Sequence, residues 1–241
     1  MRLDKLLSHA GYGSRKDVKK IIVSGSITVN DKVIKKVGHN VDPETDIIQY
    51  MNEPVLYQEY YYVMLNKPDG IISATEDREY ETVIDWVELD FGHAQLFPVG
   101  RLDIDTTGLL LLTNNGQLAH QLLSPKKKVK KRYEALIEGV VTEEDIQKFE
   151  KGLDLGDFIT QSANLEILEV HAEISQTLIH VEITEGKFHQ VKRMFEAVGK
   201  EVIQLHRISM GPLKIDPELA LGDYRELTEA EMNLLVPYGL E

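Results

Sequence analysis

The chain has 241 residues, of which 42% are hydrophobic, with no cysteine and a formal net charge of −13 at pH 7. That apolar content supports one large domain, or a small one plus a medium one, and excludes a globally disordered chain. The absence of cysteine excludes disulfides and thiolate metal sites, and no apolar run reaches the ~18 residues needed to cross a bilayer.

Leu3, Leu6, Leu7 and Ala10 follow helical spacing, and Gly11 and Gly13 end that helix. Ser14, with Asp17 three residues on, caps a second helix whose apolar stripe is Val18, Ile21 and Ile22 and whose stop is Gly25. Ile27-Thr28-Val29, then Asn30-Asp31, then Val33-Ile34 reads as a hairpin. Arg15, Lys16, Lys19 and Lys20 lie on the second helix, so residues 1–50 form a small basic module. Residues 51–59 read as a linker, with Pro54 unsuited to a central strand. The start, Met1-Arg2-Leu3-Asp4-Lys5, lacks the apolar region of an export signal, so the expected compartment is the cytoplasm.

A second domain is expected over 60–241. Its strands are predicted at 61–65, 71–74, 109–113, 133–137, 165–170, 177–183 and 201–205, with Asn66-Lys67-Pro68-Asp69-Gly70 as a strong turn. Helical patterns occupy 82–89, 117–123, 143–151, 188–198 and 229–235. Most connections are too short for parallel crossovers, so the fold class is α+β with a largely antiparallel, mixed sheet flanked by helices.

From Gly100 the chain reads Gly-Arg-Leu-Asp-Ile-Asp-Thr-Thr-Gly, then four leucines, then Thr-Asn-Asn-Gly. The short apolar run closed by Asn-Asn-Gly is a buried strand ending in a tight turn, because Asn and Gly accept positive φ cheaply. Asp103, Asp105, Thr106 and Thr107 therefore sit on a loop anchored to a rigid element. Short polar side chains before a glycine are also ordinary turn chemistry. Asp103-Ile-Asp105-Thr-Thr107 literally fits the Asp-x-Asp-x-Thr loop of metal-dependent phosphatases of the haloacid dehalogenase type. There the apolar strand comes before the loop, whereas here it follows.

Charge is segregated. Residues 1–36, 126–132 and 186–207 together hold 20 of the 27 Lys and Arg but only 5 of the 40 Asp and Glu. Three basic segments on an otherwise acidic chain suit a face that binds a polyanion, and point to RNA.

Two resemblances follow from these residues. Arg2-Leu3-Asp4-Lys5-Leu6-Leu7, Ser14-Arg15 and Gly25-Ser-Ile-Thr-Val-Asn30 resemble an S4 domain over residues 1–48. Asn66-Lys67-Pro68-x-Gly70, Gly100-Arg-Leu-Asp103, Lys131-Arg132-Tyr133 and Glu185-Gly-Lys-Phe-His-Gln-Val-Lys-Arg-Met-Phe195 resemble, in order, the motifs of the pseudouridine synthases. The tail, Leu221-Gly-Asp-Tyr-Arg-Glu-Leu-Thr228, fits the branch with an N-terminal S4 domain, and the wording is most like the enzymes of small-subunit (16S) ribosomal RNA.

The resemblance implies isomerisation of a uridine in ribosomal RNA, met within a partly assembled small subunit, by a monomer that needs no cofactor and no metal. It implies that Asp103 is the nucleophile and that Tyr133 stacks on the flipped base. It further implies that Lys192 pairs with Asp103. Arg101 suits a phosphate contact, and Arg193 is a second candidate cation on the same helix. The basic segments supply further RNA-binding candidates: Arg2, Lys5, Arg15, Lys16, Lys19 and Lys20 in the module, and Lys126, Lys127 and Lys128 beyond it. Asp105 reads as loop-shaping, and His189 and His206 as polar histidines or RNA contacts. Two other classes stay open at this point: a non-catalytic RNA-binding or ribosome-assembly factor, and a metal-dependent phosphohydrolase using Asp103 and Asp105.

Overall fold

Ser14 and Gly25 set the ends of the helix that organises the N-terminal part of the chain. In the computed structural model, which describes residues 1–240, Ser14 Oγ accepts from the Asp17 backbone N–H and Gly25 takes the left-handed conformation at φ 81°. That helix, α2 (Arg15–Ser24), packs with α1 (Leu3–His9). A four-stranded sheet completes the module: β1 (Ile27–Val29), β2 (Lys32–Val33), β3 (Ile48–Tyr50) and β4 (Glu53–Pro54), in the order β2-β1-β3-β4. Asn30 and Asp31 both have positive φ, as the predicted hairpin turn requires. Leu3, Leu6, Leu7, Val18, Ile22 and Ile27 are fully buried and form the core.

The run read as a linker starts differently. Met51 and Asn52 make a second positive-φ turn, and Glu53 and Pro54 pair with β3. Pro54 is tolerated because β4 is an edge strand.

The chain divides into two compact units, one of Met1–Tyr61 with Val87–Leu96, the other of Tyr62–Trp86 with Phe97–Glu241. Residues 87–96, expected within the second domain, thus pack with the first unit. Tyr61 stacks edge-on with Phe91 and His93 there, and the His93 ring faces Gly11.

The second unit carries β5 (Tyr62–Lys67), then α3 (Val83–Phe91), whose C-terminal part lies in the first unit. It continues with β6 (Phe97–Pro98), β7 (Thr107–Thr113), α4 (Gly116–Leu123), β8 (Lys131–Glu138), α5 (Glu143–Lys151), β9 (Asn164–His171) and β10 (Gln176–Ile183). It ends with α6 (Gln190–Ala197), β11 (Glu201–Met210), β12 (Leu213–Lys214), β13 (Tyr224–Glu226) and α7 (Glu229–Leu235).

Its nine strands form one sheet in the order β13-β5-β7-β11-β8-β10-β9, with β6 on β7 and β12 on β11. All pairings are antiparallel except β7 with β11, where Thr107 faces His206 and Gly108 faces Arg207. The α+β reading with a largely antiparallel mixed sheet is what the chain adopts.

Two local expectations fail for identifiable reasons. Residues 71–74 form no strand, only a bridge between Ile72 and Thr82. The Asn-Asn-Gly run is not a positive-φ turn: Asn115 is extended and accepts from the Leu118 N–H, so it caps α4, which begins at Gly116. Helix α6 also starts later than predicted, because His189 adopts a left-handed φ of 47° and stands just outside it.

Candidate active site

The loop between β6 and β7 carries Asp103, and two side chains of neighbouring segments, Lys67 and Ser73, hold its backbone. Lys67, at the end of β5, is fully buried and donates from Nζ to the carbonyls of Pro68, Ile104 and Thr106 at 3.0, 3.1 and 3.0 Å. Ser73 Oγ donates to the Leu102 carbonyl and accepts from the Leu102 N–H, both at 3.0 Å. Thr107 Oγ1 and His206 Nδ1 meet at 2.8 Å where β7 enters the sheet. A loop bonded through the Leu102, Ile104 and Thr106 carbonyls and the Leu102 amide holds its carboxylates in a restricted geometry.

Gly108 explains the glycine in Thr-Thr-Gly. A Cβ there would lie 2.4 Å from the carbonyl oxygen of Arg207, and its φ is 102°. Only glycine lets β7 approach β11 so closely, and that approach fixes the start of the loop.

Around the loop, Arg101, Asp103, Tyr133 and Lys192 share the wall of one small cavity with His189, Val191 and Leu205. Tyr133 is buried on β8, between Val181 of β10 and Arg207 of β11. Lys192, on α6, reaches both acids: its Nζ donates to Asp105 Oδ1 at 2.6 Å and lies 3.7 Å from Asp103 Oδ2. The expected pairing with Asp103 is therefore shared, and the tighter contact is to Asp105. The Lys192 hydrogen bond holds the Asp105 carboxyl below its ordinary range. Burial pushes Lys67 down to about 8, opposed by the negative charges of Asp69, Asp105 and Asp103.

His189 is closer to the site than its sequence context suggested. Its Nε2 lies 3.7 Å from Asp103 Oδ1, and its ring stacks on exposed Phe188. Arg193, by contrast, is not brought to the site. One residue further round α6, it pairs with Asp157, donates to the Leu155 carbonyl and lies over the Phe158 ring. Adjacent helix positions point about 100° apart, so Lys192 and Arg193 could not both face Asp103.

Of the other basic candidates, Lys128 lines a second, larger cavity that shares Arg101 and Tyr133 with the first, while Lys126 and Lys127 stand exposed on the turn before it. Lys5, Arg15, Lys16, Lys19 and Lys20 are exposed on the N-terminal module, and Arg2 there is engaged by Asp4 through two hydrogen bonds.

Lys67, Ser73, Gly108 and Arg207 were not singled out by the sequence as parts of the site, and His206 was read only as a polar histidine or an RNA contact. Lys67 had a signal, since it lies in the quoted Asn66-Lys67-Pro68 motif at the end of an apolar run. Asn66 of the same motif donates to the Leu219 carbonyl and pairs by backbone with Gly222 and Asp223, which ties the tail motif to β5.

Among the described residues no group of three or more His, Asp and Glu side chains could hold a metal ion. Asp103 and Asp105 are both turned to Lys192, an arrangement that fits a carboxylate in a nucleophile's or base's position.

Comparison with known proteins agrees with this geometry. Residues 61–197 match the RNA pseudouridylate synthase family and residues 1–47 match the S4 domain. An uncharacterized RNA pseudouridine synthase of Bacillus subtilis, YtzG, is 50% identical, covering 98% of each chain. The ribosomal small subunit pseudouridine synthase A of Escherichia coli is 37% identical over 98% of this chain and 100% of its own. The ribosomal large subunit pseudouridine synthase B of Bacillus subtilis is 38% identical over 97% and 95%. A crystal structure of a pseudouridylate synthase superposes with a TM-score of 0.66 at 34% identity, covering 98% of this chain and 99% of that one.

The chain belongs to the RNA pseudouridylate synthase family. Within it, the chain carries an N-terminal S4 domain, and it is an RNA pseudouridine synthase. The phosphohydrolase and the non-catalytic readings are thereby set aside.

Proposed function

We propose that this enzyme converts a specific uridine of small-subunit (16S) ribosomal RNA to pseudouridine, with Asp103 as the carboxylate that acts on the flipped-out nucleoside. The observation that carries this reading is the placement of Asp103: beside Lys192 and Tyr133 in one cavity, on a loop fixed by Lys67 and Ser73. The reaction breaks the C1′–N1 bond, turns the base and forms a C1′–C5 bond, while a hydrogen leaves C5 and one is gained at N1. Atoms and electrons balance without an oxidant, a reductant or water, so the chemistry calls for no cofactor.

Each side chain has a role in that sequence. Asp103 provides the nucleophilic carboxylate, and Lys192, 3.7 Å away, helps to aim it. Tyr133 stacks on the flipped base, whose removal from its own stack costs a few kcal/mol. Arg101 contacts a phosphate beside the target nucleotide, and Lys128 extends that contact along the strand. Lys5, Arg15, Lys16, Lys19 and Lys20 of the S4 domain grip RNA away from the reacting base.

The small-subunit target is supported by the wording of the motifs and by the relatives named ribosomal small subunit pseudouridine synthase A. A partly assembled subunit supplies the extended surface that widely spaced basic segments suit, and the protein works there as a monomer in the cytoplasm. No helix among the described residues is long and apolar enough to cross a membrane.

The test is to map pseudouridines in ribosomal RNA from cells with the protein, without it, and with Asp103→Asn. One small-subunit pseudouridine should disappear in the second and third strains, and Asp103→Asn should lower turnover by at least about 10⁴-fold with folding intact. Loss of a large-subunit pseudouridine instead would overturn the target, and near-normal turnover by Asp103→Asn would overturn the nucleophile.

A further inference from the structure

Arg207 is the least satisfied charged group in the core of the second unit. It is 2% exposed, its Nε donates to the Leu109 carbonyl at 2.8 Å, and its Nη2 is buried with no hydrogen-bond partner. Buried donors are nearly always paired, and a buried cation without a counter-charge costs several kcal/mol, so such a group calls for a reason. Arg207 lines the larger cavity, of about 430 Å³, which opens beside the Asp103 cavity and shares Arg101, Tyr133, Gly186 and Lys187 with it.

The charge of that cavity is one-sided. Five Lys or Arg line it and one acid, Glu185. Glu185 Oε1 already accepts from the Gln161 N–H at 2.7 Å and from Gln190 Nε2 at 2.8 Å. Lys131, half-buried on the same wall, is pushed below its ordinary range by burial and then by the charge of Arg207. Two cations that repel each other in a partly closed space are what an anion would relieve. The volume lies within the range of cavities that hold a nucleotide-sized ligand.

We propose that this cavity receives the nucleotide next to the target uridine on the same RNA strand, with its phosphodiester on the Arg207 guanidinium and Lys131. The inference rests on the uridine-isomerising reading of the Asp103 site and adds to it a site for the neighbouring nucleotide. A charged hydrogen bond made only when the strand is threaded this way helps offset the cost of flipping, so the contact acts on turnover as well as on affinity.

The test uses the full-length protein and RNA carrying the mapped uridine, with each nearby phosphate replaced singly by a neutral methylphosphonate. In the wild type, one link should lower kcat/KM by at least about 10-fold, the scale of a lost charged hydrogen bond. In Arg207→Gln that same link should cost less than about 3-fold, because its partner is already gone. Lys131→Met, at a less buried position, should show the same loss of sensitivity and guards against a folding defect in the first variant. If every link is tolerated while the unmodified RNA is converted, the cavity proposal alone is overturned, as it is if the sensitive link costs both variants as much as the wild type. Failure to convert the unmodified RNA, both free and within partly assembled small subunits, overturns both this proposal and the reading beneath it.

Discussion

Lys67 and Arg207 are both buried cations on strands that flank β7, and the fold answers them differently. Lys67 spreads its protons over three carbonyls around the Asp103 loop. Arg207, on the other side of β7, gives one nitrogen to Leu109 and leaves another buried and open. Equal burial therefore hides two kinds of residue. A cation with every donor used holds a backbone in place, whereas one with a donor in reserve fits a ligand that arrives later.

The sharpest way to break this contrast is to remove each cation. Lys67→Met takes the Nζ donor from three carbonyls, of which only Ile104 keeps another, the Gly70 N–H, and should cost about 3 kcal/mol of stability, read by urea unfolding. A loss below about 1 kcal/mol would mean that the loop does not depend on Lys67.

Titration sharpens it further. Lys67 has a folded pKa of about 8 against an ordinary 10.5. Between those values the unfolded chain holds a proton that the folded chain has released, so stability tied to this group rises with pH. The burial penalty is fully present below pH 8 and is relieved by pH 10.5, by at most about 3 kcal/mol. The advantage of wild type over Lys67→Met should therefore grow across that window, and an advantage that shrinks would contradict the assignment.

Arg207→Met should change stability by about 1 kcal/mol or less, because an orphaned charge is replaced by a well-packed apolar chain while one carbonyl loses its donor. Its kcat/KM on RNA should nonetheless fall about 10-fold or more. A large stability loss with unchanged kcat/KM would make Arg207 a structural cation like Lys67. Smallest of all, Asp105→Asn should alter stability by no more than about 0.5 kcal/mol, since Asp105 is 59% exposed and its pair with Lys192 is solvated. Activity should survive, because Lys192 then has Asp103 alone as its acidic partner; loss as deep as that of Asp103→Asn would exchange the two roles.

The sequence carried the elements whose cause is local. The Ser14 cap, the Gly25 stop, the Asn30-Asp31 turn and the buried leucines of β7 depend on neighbours a few residues away, and the chain forms them as read. Asn115 was misread because one residue type serves both turns and helix caps, and the choice depends on the amphipathic pattern that follows. Asp103, Tyr133 and Lys192 were legible through motif wording. Lys67 on the loop, His189 beside Asp103 and the open donor of Arg207 were not, because each is defined by partners distant in sequence. Arg193 shows the converse limit: a motif places two cations side by side, and helical rotation turns the second, Arg193, to Asp157.

The parallel strand pairing of β7 with β11 also sets a timetable. Thr107 and His206 are 99 residues apart, so their bond closes a long loop and belongs to the slow, non-local part of folding. At ribosomal rates of about 5–20 residues per second, β11 leaves the ribosome roughly 5–20 s after the Asp103 motif. A nascent or truncated chain that ends at residue 200 would carry the Asp103 motif and all of α6, yet lack the strand against which Gly108 docks. The motif belongs to the first half of the chain, and the working site comes into being only with the last quarter.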